Sequence, residues 1–118
     1  MGRVYNPKDE AWRQVERRGA VDVTSHILLP VERGGRTRLS LTRIEAGGTF
    51  GPHIDDYEHV FCVHKGHGEA MVGKQRLTIA PGDIIIPDIH EPHGLYAGPD
   101  EELVLVTANI YPDDADQG

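Results

Sequence analysis

The chain has 118 residues and a formal net charge of −7, from 12 Lys or Arg against 19 Asp or Glu. That length suits one domain with a modest core, and the acidic balance repels a phosphate backbone, so nucleic acid is not an expected partner. The single cysteine, Cys62, has no internal partner, so the fold needs no oxidising compartment.

At the start, "MGRVYNPKDEAW" carries no apolar run and does not resemble a secretory signal. "LVLV" and "DIIIP" are the longest apolar stretches, far short of the roughly 20 residues that span a bilayer. A soluble, cytoplasmic protein without a membrane partner is expected. "PKDEAWRQVERRG" has Pro7 early and Gly19 late but few apolar positions, so at most one helical turn is expected there.

Downstream, strand-like runs follow at short intervals: "DVTSHILLP", "TRLSLTRIE", "HVFCVHK", "GEAMV", "QRLTIA", "DIIIP" and "ELVLVTANIY". Their β-branched content and alternation read as half-buried strands. "GGRT", "HKGHGE" and "VGKQ" read as hairpin turns. The fold class is all-β, a sandwich or small barrel.

Six of the seven histidines fall within residues 53–93. His53 and Asp55, two apart, put an imidazole and a carboxylate on the same face of a strand. His59 lies too far along a continuing strand, so "DYE" must turn, and a returning antiparallel strand would bring His59 opposite Asp55. His59, Phe61 and Val63 would then share one face, and Val60, Cys62 and His64 the other. His93 comes from a distant turn after "PGDIIIP". Three imidazoles and a carboxylate suit one divalent ion, with iron, manganese, nickel and zinc all compatible. His53, Asp55 and His93 alone have the form of a two-histidine, one-carboxylate triad on iron.

The order of these features resembles the cupin superfamily over residues 47–97. Its first motif, G-x5-H-x-H-x3-4-E-x6-G, is matched in spacing by Gly47, His53, Asp55, His59 and Gly66. Asp55 stands at the second His and His59 at the Glu. In the second motif, G-x5-P-x-G-x2-H-x3-N, Gly82 and His93 are in place. Pro87 comes one residue early, His90 stands at the Gly and Ala97 at the Asn. By position, the resemblance implies His53, Asp55, His59 and His93 as metal ligands. Asp55, shorter than His, could instead orient a ligand imidazole. The resemblance also implies a double-stranded β-helix (jelly-roll) barrel of two antiparallel sheets, one domain over residues 1–118. Residues 1–20 would form an N-terminal arm and 112–118 an acidic tail. A homodimer is implied too, with the segment Gly2–Ala20 able to add a strand to a neighbour's sheet.

Other residues are candidates for supporting roles. His90 and Tyr57 could move protons. Arg38 and Arg43, on opposite faces of one strand, could meet a substrate carboxylate, and Tyr96 could contact substrate. His64 and His67 read as solvated turn residues, His26 as a strand-surface residue and Cys62 as a small buried hydrophobe. The resulting expectation is a mononuclear metalloenzyme acting on a small molecule, by oxygenase chemistry (an oxidoreductase) or by Lewis-acid isomerase or lyase chemistry. The alternatives are a non-catalytic small-molecule or sugar-binding module, and a metal-free catalyst using His53 as general base.

Overall fold

Small, β-branched and aliphatic side chains alternate along most of the chain, and in the computed structural model, which describes residues 2–112, they form nine strands. In chain order these are β1 (Arg13–Gln14), β2 (Ala20–Leu29), β3 (Thr37–His53), β4 (Glu58–Lys65) and β5 (Gly68–Val72). Then come β6 (Gln75–Ile79), β7 (Ile84–Ile85), β8 (His93–Ala97) and β9 (Leu103–Ile110). A 3-10 turn at Asp9–Ala11 and a short helix, α1 (Val31–Gly34), are the helical elements among the described residues. No helix among them is long and apolar enough to cross a membrane. The acidic segment expected at the C-terminus lies outside the described residues beyond Pro112.

All pairings are antiparallel, and the sheet curls on itself in the order β6-β5-β8-β3-β9-β4-β7, with β2 and β1 added beside β3. This is the expected all-β, jelly-roll type of architecture. Its corner is β3. The first half of β3, Thr37 to Ile44, lies between β2 and β9, whereas Thr49 to His53 lies along β8. Between those halves Asp22 of β2, at φ 59°, faces the four residues 45–48 of β3. Such an irregularity bends a strand and redirects it, so one strand serves both walls of the barrel.

Three connections differ from expectation. β3 and β4 are not a hairpin: β9 lies between them. "HKGHGE" is not a hairpin turn either, since β4 pairs with β7 and β9 while β5 pairs with β6 and β8. It carries the chain from one wall to the other, and Gly66 permits this: φ is 88° and an added Cβ would sit 2.0 Å from the carbonyl oxygen of Glu102. His93 opens strand β8 and is not on a turn. "VGKQ" is a hairpin turn, with Val72 paired to Gln75.

The inward faces of β3, β9 and β4 run from apolar to polar along the barrel. Leu103 pairs with Ile44; Leu105 lies between Thr42 and Val63; Thr107 lies between Ser40 and Phe61; Asn109 lies between Arg38 and His59. Val23, Ile44, Leu103 and Leu105 are fully buried and close one end. Burial of such side chains stabilises by roughly 1.5–3 kcal/mol each. At the other end the same alternation turns Arg38, Asn109 and His59 into the barrel. The closed end holds the fold and the open end carries the chemistry.

Candidate metal centre

Each of the four clustered residues is brought in by a different piece of backbone. His53 ends β3 and His93 begins β8, and the two are register partners, with ring centroids 4.3 Å apart. His59 sits on β4 in the opposite wall, alternating inward with Phe61 and Val63. Asp55 lies in the loop that crosses from β3 to β4. That loop is pinned by the backbone N–H of His90, which donates to the Asp55 carbonyl at 2.9 Å. Asp55, His59 and His93 are buried, and one donor atom from each of the four residues lies within 4.8 Å of the others.

Backbone and amide acceptors orient the imidazoles. Nδ1 of His53 donates to the Gly51 carbonyl at 2.9 Å, and Nδ1 of His93 to the Glu91 carbonyl at 2.9 Å. Nδ1 of His59 donates to Asn109 Oδ1 at 2.7 Å. With Nδ1 so engaged, all three rings present Nε2 to a common centre, the orientation that ligand histidines take. Asp55 Oδ2 lies 3.4 Å from His53 Nε2 and 3.6 Å from His93 Nε2, separations usual for two donors about 2.1 Å from one ion. Its 2.6 Å contact with His59 Nε2 is a hydrogen bond that requires a proton on Nε2, and an ion taking that nitrogen as ligand would replace this proton. His93 Nε2 is buried without a hydrogen-bond partner, a condition that costs about 1–3 kcal/mol and that a bound cation would relieve. The donor set therefore fits one divalent ion.

The site also contains a residue that sequence reasoning did not single out. Arg17, from the segment between β1 and β2, places Nη2 2.5 Å from Asp55 Oδ1. Burial alone would raise the Asp55 pKa, but hydrogen bonds from Arg17 and His59 outweigh it and hold the carboxyl below its ordinary value. Burial depresses the His53 and His93 imidazoles, only partly offset by their carbonyl acceptors. Both therefore keep a lone pair free to lower pH than an exposed histidine. Asn109 is the second residue not anticipated. Its parity with Leu103 and Leu105, inward on β9, is the signal that could have found it.

A cavity of about 160 Å³ opens beside the cluster, with His53, His59, Tyr57, Arg17 and Arg38 among its lining residues. Tyr57 packs on His59 and Tyr111 at centroid distances of 4.7 and 4.6 Å. Burial raises its phenol pKa, assisted by Asp55 and Tyr111 and opposed by Arg17.

The remaining candidates are not brought to this cavity. Arg43 is on the outer face of β3, its guanidinium 4.4 Å from the Trp12 ring centroid and its Nε donating to Thr24. Tyr96, out of phase with inward His93 and Leu95, lies under Arg76 at 4.1 Å. His90 is exposed, at φ 68°. It stands where the motif has glycine, and its contribution here is its backbone N–H. His67 pairs with Glu101 at the surface. His26 accepts the N-terminal arm instead: Nδ1 meets the Ala11 carbonyl and Nε2 the Tyr5 hydroxyl, each at 3.1 Å.

Comparison with known proteins agrees with this architecture. The family model described as "Cupin domain" matches residues 40–109. The polyketide cyclase RemF from Streptomyces resistomycificus superposes with a TM-score of 0.81 at 23% identity, over 93% of this chain and 80% of that one. A protein from Thermotoga maritima described as a predicted oxalate decarboxylase gives 0.79 at 19% identity, over 86% and 93%. A cupin-2 domain from Rhodospirillum rubrum gives 0.79 at 21%, over 98% and 84%. No curated protein sequence matches the chain.

Proposed function

The chain belongs to the cupin-domain family, and from that premise we propose that it is a mononuclear metalloenzyme acting on a small molecule. The observation that carries this reading is the convergence of three oriented Nε2 atoms and Asp55 Oδ2, with His93 Nε2 buried and unpartnered. His53, Asp55, His59 and His93 would hold the ion. When bound, iron, manganese, nickel or zinc supplies Lewis-acid polarisation of a substrate oxygen, or redox chemistry where the metal allows it.

Within this reading, the Lewis-acid class, an isomerase or lyase, is the one for which the protein's own groups offer a proton donor. Tyr57 holds its proton at neutral pH as an ordinary phenol does, and burial beside Asp55 and Tyr111 disfavours the phenolate further. Its Oη is therefore a proton donor rather than a base. Arg17 fixes Asp55 from behind and leaves Oδ2 facing the imidazoles. Phe50, stacked on His53 at 4.6 Å, and Phe61, stacked on His59 at 5.2 Å, hold the two rings and reduce water access.

The test is elemental analysis of protein purified without a polyhistidine tag, beside Asp55→Ala. About one ion per chain, lowered in the variant, is expected. Metal unchanged in Asp55→Ala would make Asp55 an orienting residue. No metal in either protein, even after reconstitution, would overturn the reading. Activity abolished by His53→Ala but untouched by chelator would instead identify a metal-free catalyst. Metal and ligand bound without turnover would identify a binding module.

A further inference from the structure

Arg38 is the feature that the metal centre does not use. It projects inward from β3 in the row Arg38–Asn109–His59, two strands away from His59, and lines the same cavity. Its Nε is buried and has no hydrogen-bond partner among the described residues. The ion pairs among those residues leave Arg38 out. A guanidinium is charged at all accessible pH values, and a buried donor on it left unsatisfied is costly. Its neighbours Ser40 and Thr107 cannot neutralise it, and Thr107 is engaged with Thr42 at 2.9 Å.

The electrostatics are equally one-sided. The whole chain carries −7, yet the cavity faces Arg17 and Arg38, with Asp55 already committed to Arg17. An acidic protein that turns into a pocket a cation with no ion-pair partner among the described residues has built a local field for an anion. The walls beyond Arg38 are mixed: Val15, Ile27, Phe50 and Phe61 alternate with the hydroxyls of Ser40 and Thr107. A cavity of about 160 Å³ is close to the volume that accepts a benzene-sized molecule, roughly six to eight heavy atoms.

We propose that Arg38 is the anchor of a carboxylate-binding subsite, and that the ligand of this cavity is a small monocarboxylate. This rests on the preceding reading for its catalytic meaning but not for its binding energy. The planar fork of the guanidinium matches a carboxylate with two parallel hydrogen bonds.

The probes are butanoate and its neutral isostere butanamide, titrated calorimetrically into the metal-loaded protein and into protein stripped with EDTA. Wild type is expected to prefer butanoate by about 10- to 100-fold, the range of a charge-assisted hydrogen-bonded pair. Arg38→Met should lose that preference while its affinity for butanamide stays unchanged. Arg43→Met, outside the cavity, should keep it. Arg38→Lys, which retains charge without the fork, should keep part of it and serves if Arg38→Met does not fold. Equal binding of the two probes to wild type, a preference that survives Arg38→Met, or no binding of either up to about 10 mM would overturn the proposal. The stripped protein separates the two readings. A preference that persists there and depends on Arg38 upholds the subsite even if elemental analysis finds no metal. Bound metal with no such preference does the reverse.

Discussion

Arg17 and Asp55, 38 residues apart, form an ion pair in which Nη2 takes Oδ1 at 2.5 Å while Oδ2 is left to the three imidazoles. The pair ties the segment between β1 and β2 to the loop between β3 and β4. It also explains how aspartate can stand where the family motif has histidine. A carboxylate is shorter than an imidazole and needs a partner to hold it in place, and Arg17 supplies that partner.

Removing the guanidinium should therefore loosen the ion without removing a ligand. Arg17→Gln is expected to weaken metal affinity by about 10- to 100-fold, the usual effect of losing an outer partner of a ligand. Competition with a metallochromic chelator measures it. Unchanged affinity would show that Asp55 keeps its place unaided.

The buried imidazoles set a pH dependence for the metal-stripped protein. His53 and His93 have folded pKa values below the ordinary 6.5, so the unfolded chain binds more protons between the two values. Stability is then full above about pH 6.5 and is lost as pH falls from there through the folded values. Asp55, also depressed, adds a further loss of the same sign below its ordinary 3.8. Thermal melts of EDTA-treated protein should show Tm falling from pH 7 to 5 and again below about pH 4. A Tm that rises on acidification would contradict the buried, neutral state of the two rings.

His90 offers a test of backbone against side chain. Its φ of 68° is in the left-handed region, which glycine adopts freely, histidine tolerates and a β-branched residue resists most. His90→Gly should keep metal content and stability, because the backbone N–H to Asp55 remains. His90→Val should destabilise by about 1–2 kcal/mol in urea. Loss of turnover in folded, metal-loaded His90→Gly would restore an acid–base role to the imidazole.

Gly66 should tolerate nothing larger. An added Cβ would meet the Glu102 carbonyl oxygen at 2.0 Å, so the crossing between the walls must shift. Gly66→Ala is expected to destabilise by about 3 kcal/mol or more, read from the urea midpoint. A near-wild-type midpoint would mean that the crossing is free to move.

Much of this was legible in the chain itself. The alternation of "HVFCV" places His59, Phe61 and Val63 inward as expected, and motif spacing finds the four clustered residues before any coordinates do. Pairing was less legible. β9 separates β3 from β4, and no local pattern announces that a strand from the far end of the chain will intervene. The strand expected over "TRLSLTRIE" does not stop there: the chain bulges before Thr49 and continues to His53. Arg17 carries no local signal at all. The one available clue was chemical: an aspartate at a histidine position asks for a cation, and the fold alone chooses among Arg3, Arg13, Arg17 and Arg18.

The row Arg38–Asn109–His59 has a consequence for which molecules the pocket can accept. Those three residues are neighbours by strand pairing, so the backbones that carry the Arg38 guanidinium and the His59 imidazole stand two strand spacings apart, about 10 Å. Loops at the mouth can lengthen, shorten or change sequence without altering that measure. The barrel thus acts as a ruler cut into its own sheet: loop variation can alter what enters, while the separation of the backbones bearing Arg38 and His59 is kept by hydrogen bonds that the whole fold depends on.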